Sequence, residues 1–319
     1  MKIDVIVPAY KAEMTVDPCL DALFAAGFTP DSIIVVDDGS PDNTVAIVRS
    51  RGIEPIRQDN KGSAQARNVG AAASSADILL FVDSDVVVHH DVRTRVLRFF
   101  ACHPDHAGVF GSYDDAPPAP PRVSRLRNLL HHHVHQKSAG PASTFWTGCG
   151  ALRRVDFEAV GGFLTQDERI EDVILGLRLA RLGRPVLLDP DLLCTHLKSW
   201  SWWGFAFTDY RHRAQPWTRV MHDPANKDLA HVLNAGRHGK TAVVSVGVSL
   251  LSLPLILVSP ILGVILGMLS LVSLIGVERQ FLSLVWRQGR KSDAIVAVAM
   301  LWVHHLAAGI GYARVRLTG

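Results

Sequence analysis

Ile78-Leu79-Leu80-Phe81-Val82-Asp83-Ser84-Asp85 decides how the rest of the chain is read. Five consecutive apolar residues without alternation describe a strand buried on both faces, as in a parallel sheet. Two carboxylates one residue apart close it, and carboxylates are seldom buried unless paired or bound to a metal. In open α/β sheets ligands gather at the carboxyl ends of the strands. There, a Mg or Mn ion held by carboxylate and diphosphate oxygens is ordinary hard-ion chemistry. An acidic loop at a strand end is the plainer alternative.

Upstream, the same grammar repeats. Ile3–Val7 reads as a first strand ended by Pro8-Ala9-Tyr10-Lys11. A helix follows, capped by Asp17 with Pro18 at its first position, apolar through Leu20, Leu23 and Phe24, and closed by Gly27. Ser32–Val36 is a second strand running into Asp37-Asp38-Gly39-Ser40, then a helix with Val45 and Val48 inward. Strand, helix, strand, helix is the doubly wound pattern. Neither a G-x-G-x-x-G nor a P-loop motif lies between these elements, so a nucleotide held here must be met by side chains. Asp37 or Asp38 would accept from a base or ribose, or would simply form an Asx turn. Residues 53–58 give a short third strand, and Ser63–Gly70 opens a helix of small residues carrying Arg67, facing either a diphosphate or solvent.

Beyond Asp85, Arg93–Phe100 is helical and Val109–Tyr113 a strand. Residues 122–137 form a basic helix with His131, His132, His133 and His135. Only His131 and His135 share a face, which argues against a metal site there. Gly148 and Gly150 permit a tight backbone that can line a pocket after Trp146. Residues 168–183 form a helix with Glu171-Asp172 near its start, where acidic residues are favoured electrostatically in any case. The sharper reading makes one of the pair a general base. Pro185–Asp189 is a short strand.

The C-terminal third is apolar. Residues 242–277 are 36 residues without an ionisable side chain, and 294–313 carry only His304, His305 and Tyr312. Both exceed the length that crosses a bilayer. A single helix of 36 residues would be about 54 Å long, so two tight passes turning near Ser259-Pro260 are expected, or a re-entrant hairpin. With 294–313 this makes three passes, Arg279, Arg287, Arg290 and Lys291 lying inside. Four of the seven tryptophans fall between 200 and 217. From Lys198 to Lys240 seven Lys/Arg face three Asp, a positive-inside bias. That stretch is expected to lie on the membrane surface, an ordinary substrate lid being the rival. The chain start is not read as a signal peptide, because Asp4 and Pro8 interrupt it, so the catalytic domain is expected in the cytosol at an inner or plasma membrane. Four scattered cysteines suit a reducing compartment. A net charge of +3 without basic runs argues against nucleic acid. The expected division is 1–220 catalytic, 221–240 basic linker and 241–319 membrane region.

Ile3–Tyr10, Val35–Ser40, Ala66–Gly70, Phe81–Asp85 and Glu171-Asp172 followed by Leu175 and Arg178-Leu179 resemble, in order and spacing, family 2 glycosyltransferases of the GT-A fold. His196-Leu197-Lys198, Pro216–Arg219 and the apolar tail resemble the membrane-attached bacterial members. The resemblance implies an α/β nucleotide-sugar-binding fold with a mostly parallel central sheet plus C-terminal transmembrane helices. It also implies roles. Pro8 and Tyr10 would border the nucleoside pocket, and Asp38, or less readily Asp37, would hold the base. Arg67 would lie near the nucleotide. Asp83 would approach ribose or metal, and Asp85 would bind Mg or Mn, with His196 completing the metal or phosphate site. Trp146 and Gly148 would line the sugar pocket, and Asp172, beside Glu171, would be the base. No Q-x-x-R-W follows the acidic pair, which disfavours chain-elongating synthesis. The implied activity is metal-dependent, inverting, non-processive transfer from a nucleotide sugar, UDP-sugar favoured, to a lipid-linked or amphiphilic acceptor. A polyprenyl-phosphate acceptor is the nearest rival. A nucleotidyltransferase, or a membrane scaffold that binds nucleotide-sugar without turnover, is more remote.

Overall fold

The computed structural model describes residues 1–166, 170–223, 226, 237–288 and 291–318. Glu168, Lys227, Asp228 and Arg290 lie outside them, as does most of the expected 221–240 linker. The chain forms two compact units, one of residues 1–118 and 134–198, the other of 119–133, 199–228 and the C-terminal helices.

The first unit is built on a nine-stranded sheet: β1 (Ile3–Ala9), β2 (Ile33–Asp37), β3 (Ile56–Arg57), β4 (Ile78–Val82), β5 (Val86–Val88), β6 (Gly108–Tyr113), β7 (Gly140–Ala142), β8 (Cys149–Arg153) and β9 (Val186–His196). The spatial order is β3-β2-β1-β4-β8-β6-β9-β5, with β7 paired to β9. Every residue of β1 and β4 is buried, as two-sided burial of a parallel strand requires. The sheet is mixed. β3, β2, β1 and β4 are parallel, but β8 runs antiparallel between β4 and β6. Helices α1 (Val16–Ala25), α2 (Thr44–Ser50), α3 (Ser63–Ala73) and α4 (Val92–Cys102) connect the first strands.

Several boundaries differ from the sequence reading: β1 runs on through Pro8 to Ala9, and α1 and β9 differ as well. Helix α1 starts at Val16 after Thr15, not after Asp17. Pro18 is then its third residue, still in the first turn, where backbone N–H groups lack intrahelical partners anyway. The Asp17 carboxylate accepts from Arg51 Nε at 2.6 Å instead. Strand β9 is eleven residues long and passes through Pro190, where the sequence reading stops at Asp189. Its pairing with β6 slips between Phe110↔Leu188 and Ser112↔Leu193. A bulge of this kind takes up a proline that has no N–H for the ladder. Because the strand continues, it delivers His196 to the sheet end.

Helix α5 (Arg122–Lys137) follows β6, and α6 (Arg154–Ala159) and α7 (Glu171–Arg181) lie between β8 and β9. His135 Nδ1 lies 3.0 Å from the Gly111 carbonyl oxygen, a structural contact for one of the clustered histidines.

The second unit contains α8 (Trp202–Phe207), a π-helical turn at 208–214, α9 (Gln215–His222), α10 (Arg237–Val258), α11 (Pro260–Val277), α12 (Arg279–Arg287) and α13 (Lys291–Thr318). Among the described residues, three helices are long and apolar enough to cross a membrane: His238–Val258, Pro260–Val277 and Lys291–Thr318. The break at Ser259-Pro260 falls where the sequence places a turn. Val123, Leu126 and Leu130 pack with Phe205, Phe281, Met300 and Leu301. The two histidines of the last helix have partners: His304 Nδ1 meets Asp209 Oδ2 at 2.6 Å, and His305 Nε2 meets Glu278 Oε1 at 2.8 Å. Asp209 also takes Arg127 Nη2 at 2.7 Å. Burial pushes its carboxyl up, but the charges of Arg127 and His304 outweigh that and hold it well below the ordinary range.

Candidate active site

Strand registers assemble the site. Ala9 pairs with Asp37, so Pro8, Tyr10, Asp37 and Asp38 share one end of the parallel half. Strand β4 lies on the other side of β1, which brings Asp83 beside them. Val82 pairs with Cys149, so the turn holding Trp146 and Gly148 enters where β4 ends. Val86 pairs with His196, which sets that ring next to Asp85.

Tyr10 is half exposed at the end of β1, while Pro8 is buried within it. Asp37 and Asp38 are both buried and both used by the protein. Asp37 accepts from Ser40 N at 3.2 Å and Arg57 Nε at 3.3 Å. Asp38 accepts from Gln58 Nε2, Lys61 N and Gly62 N at 2.7, 2.8 and 2.9 Å. These bonds fold the 58–62 loop onto β2 and lead the chain into α3.

Helix α3 brings one cation to two carboxylates. The Arg67 side chain, only 5% exposed, donates from Nη2 to Asp83 Oδ1 at 2.6 Å and from Nη1 to Glu171 Oε1 at 2.8 Å. Ser63, one turn earlier, donates to the same Glu171 oxygen at 2.9 Å. Glu171 is therefore held by two donors on α3. Asp172 faces differently. Its one hydrogen bond among the described residues comes from its neighbour's backbone, Val173 N, at 2.8 Å. Burial and then the adjacent Glu171 charge push its carboxyl up to about 7, Arg67 only partly opposing them. The residues alone leave the choice within the acidic pair open, and the family resemblance points to Asp172; in the fold Ser63 and Arg67 bind Glu171 and not its neighbour.

Asp85 Oδ2 lies 3.4 Å from His196 Nε2. Burial would raise the Asp85 carboxyl, but the His196 contact and the Lys198 charge bring it below its usual value. Asp83, Asp85 and His196 do not converge as one ligand set. Among the described residues no three His, Cys, Asp or Glu side chains are grouped to hold a metal, and Arg67 engages Asp83. Asp85 with His196 is the pair whose oxygen and nitrogen could hold a cation. A divalent ion there would take its remaining oxygens from a bound diphosphate.

Two contributors carry no sequence signal of their own. One is Tyr113, stacked on His196. The other is Gly176, one turn after Asp172 on α7. A Cβ at Gly176 would stand 2.3 Å from Phe145 N and 2.4 Å from Thr144 C. Backbone atoms cannot yield as a flexible side chain can, so this glycine sets how closely α7 approaches the segment leading to Trp146. Gly176→Ala is expected to cost about 1–3 kcal/mol, as overpacked sites do, and to lower turnover with it. Thermal unfolding beside a turnover assay checks both.

Residues 4–161 match the family model described as Glycosyl transferase family 2. The chain is 24% identical over 233 residues to the O-antigen chain rhamnosyltransferase of Salmonella typhimurium, covering 68% of this chain and 74% of that one. It is 30% identical over 224 residues to the validoxylamine A glucosyltransferase of Streptomyces hygroscopicus, covering 58% and 49%; the chain thus spans about half of that relative's length. Among solved structures, the mannosyltransferase PcManGT of Pyrobaculum calidifontis, in complex with GDP-Man and Mn2+, superposes with a TM-score of 0.60 at 18% identity, covering 98% of this chain and 87% of that one. At that identity the likeness speaks for the fold alone.

Proposed function

Residues 4–161 belong to glycosyl transferase family 2, and on that premise we propose that the protein transfers a sugar from a nucleoside diphosphate sugar to an acceptor hydroxyl by a single inverting displacement. The observation that carries the mechanism is the unequal treatment of adjacent carboxylates. Glu171 is bound by Ser63 and Arg67, while Asp172 beside it is poised near neutrality, where a general base works best. The acceptor oxygen bonds to the anomeric carbon as the bond to the diphosphate breaks. The electron pair leaves on the diphosphate, and Asp172 takes the acceptor proton.

Asp85 and His196 would hold a divalent cation, with Mn2+ suiting the imidazole better than Mg2+. When bound, the cation neutralises charge developing on the leaving diphosphate. Pro8, Tyr10 and the Asp37-Asp38 edge would border the nucleoside, Arg67 and Asp83 would lie near its ribose and phosphates, and Trp146 and Gly148 would line the sugar. A UDP-sugar is the favoured donor. The GDP-Man bound to the Pyrobaculum mannosyltransferase makes GDP-sugars the necessary comparison.

The three apolar helices favour a lipid-linked or amphiphilic acceptor at an inner or plasma membrane, with the catalytic unit cytoplasmic. Exposed Trp202, Trp203 and Phe207 on α8 suit a bilayer interface, where amphipathic aromatic rings are enriched.

The test is nucleoside diphosphate release by detergent-solubilised protein, given UDP- or GDP-sugars, Mg2+ or Mn2+, and lipid extract or none. Lipid-dependent release is expected. Asp85→Ala should raise the cation concentration for half-maximal release at least about tenfold. Tight nucleotide-sugar binding without release under any lipid would replace the transferase by a binding scaffold. A second reading keeps the helices but makes the acceptor a lipid phosphate, whose oxygen needs no base; full activity of an Asp172 variant would select it.

A further inference from the structure

Tyr113 ends β6 and His196 ends β9, and the two strands pair so that Tyr113 lies opposite Cys194. Their rings stack face to face, with centroids 4.5 Å apart and planes 8° from parallel. Both residues are buried. Trp146 meets Tyr113 edge-on, at 4.8 Å and 90°. Trp146 in turn meets His135 at 5.1 Å and 87°, and His135 is fixed to the Gly111 carbonyl. Gly148 leaves room for the indole, since a Cβ there would stand 2.1 Å from Trp146 Cζ2. His196 in turn places its Nε2 3.4 Å from Asp85 Oδ2.

We propose that Tyr113, backed by Trp146, is a positioning residue that fixes the plane of the His196 imidazole, presenting Nε2 to Asp85 and to a divalent cation bound beside it. The terminal torsion of histidine is broad and roughly two-fold, so ring orientation must come from contacts. An offset or parallel aromatic partner supplies one from the face. Partners that orient a ligating histidine are commonly worth 10–100-fold in metal affinity. The inference rests on reading Asp85 and His196 as a cation site.

The experiment measures Mn2+ binding to the full-length protein in detergent with UDP present, by loss of the free-ion electron paramagnetic resonance signal. It is paired with NMR of selectively 13C-labelled histidines, where stacking on Tyr113 shifts the His196 ring protons upfield. Tyr113→Phe should bind Mn2+ within about twofold of wild type and keep the shifted resonance. Tyr113→Leu should lose the shift and weaken Mn2+ binding about tenfold, approaching His196→Ala. Should Tyr113→Leu lose its fold, Trp146→Leu carries the same test, with weaker binding expected and unchanged binding overturning the idea. Wild-type binding by Tyr113→Leu beside weakened His196→Ala overturns the proposal alone. Wild-type binding by His196→Ala overturns the cation-site reading and the proposal with it. Equal weakening by Tyr113→Phe would assign the effect to the hydroxyl and reject the stack.

Discussion

Asp172→Asn is expected to lower turnover by about 10²–10⁴-fold, the usual contribution of a positioned general base, while nucleotide-sugar affinity stays within about twofold. The variant keeps the shape of the side chain and the contact with Val173 N but cannot take a proton. The wild-type rate should rise with pH through about 7, because Asp172 must be ionised to act and its carboxyl sits at about 7. Above that, the rate should level. The acid limb should vanish in Asp172→Asn. Stability moves the other way. A carboxyl raised in the folded state binds more protons folded than unfolded between about pH 4 and 7, so its contribution is lost as pH rises through 7. Asp172→Asn should therefore melt higher than wild type at pH 8 and show little difference at pH 4. A rate at pH 8 equal to wild type would remove the base assignment.

Arg67→Met is expected to cost about 3–5 kcal/mol of stability, the range for breaking a buried pair from one side. The guanidinium lies between Asp83 and Glu171 at 2.6 and 2.8 Å. Without it Glu171, buried and next to Asp172, keeps among the described residues only Ser63. Methionine fills much of the same volume, so the loss is chiefly electrostatic. The double variant Arg67→Met/Glu171→Leu should recover much of that stability, since an apolar replacement of a whole buried pair is often near neutral. It should stay poorly active. The remaining Asp172 would titrate in an altered field: losing Arg67 raises its carboxyl and losing Glu171 lowers it. The acid limb of the single variant should thus shift to higher pH. Chemical denaturation of both variants, together with the pH profile of the single one, checks these expectations. A loss well below about 1 kcal/mol for Arg67→Met would show that the pair is solvated.

Much of the architecture was legible because buried strands write their environment directly into composition. Ile3–Val7 and Ile78–Val82 have no alternation, since both faces are covered. The helix break at Ser259-Pro260 was legible for a covalent reason: proline has no N–H and clashes with the preceding turn. Pro190 misled by the same rule, because a bulge accommodates what a regular ladder cannot. The antiparallel β8 was not legible. Cys149–Arg153 is short and apolar, and nothing local tells such a strand which way its neighbours run.

The sequence by itself determined six of the nine strands in order, the carboxylates at the strand ends, the acidic pair at a helix start and the apolar helices, all properties of residues close together in the chain. Only the tertiary structure decided which partners each carboxylate faces. Ser63 and Arg67 meet Glu171 across more than a hundred residues, and Tyr113 meets His196 across the β6–β9 register. A charge or a ring acquires its chemistry from what faces it, and those partners are set by strand order and register rather than by nearness in sequence.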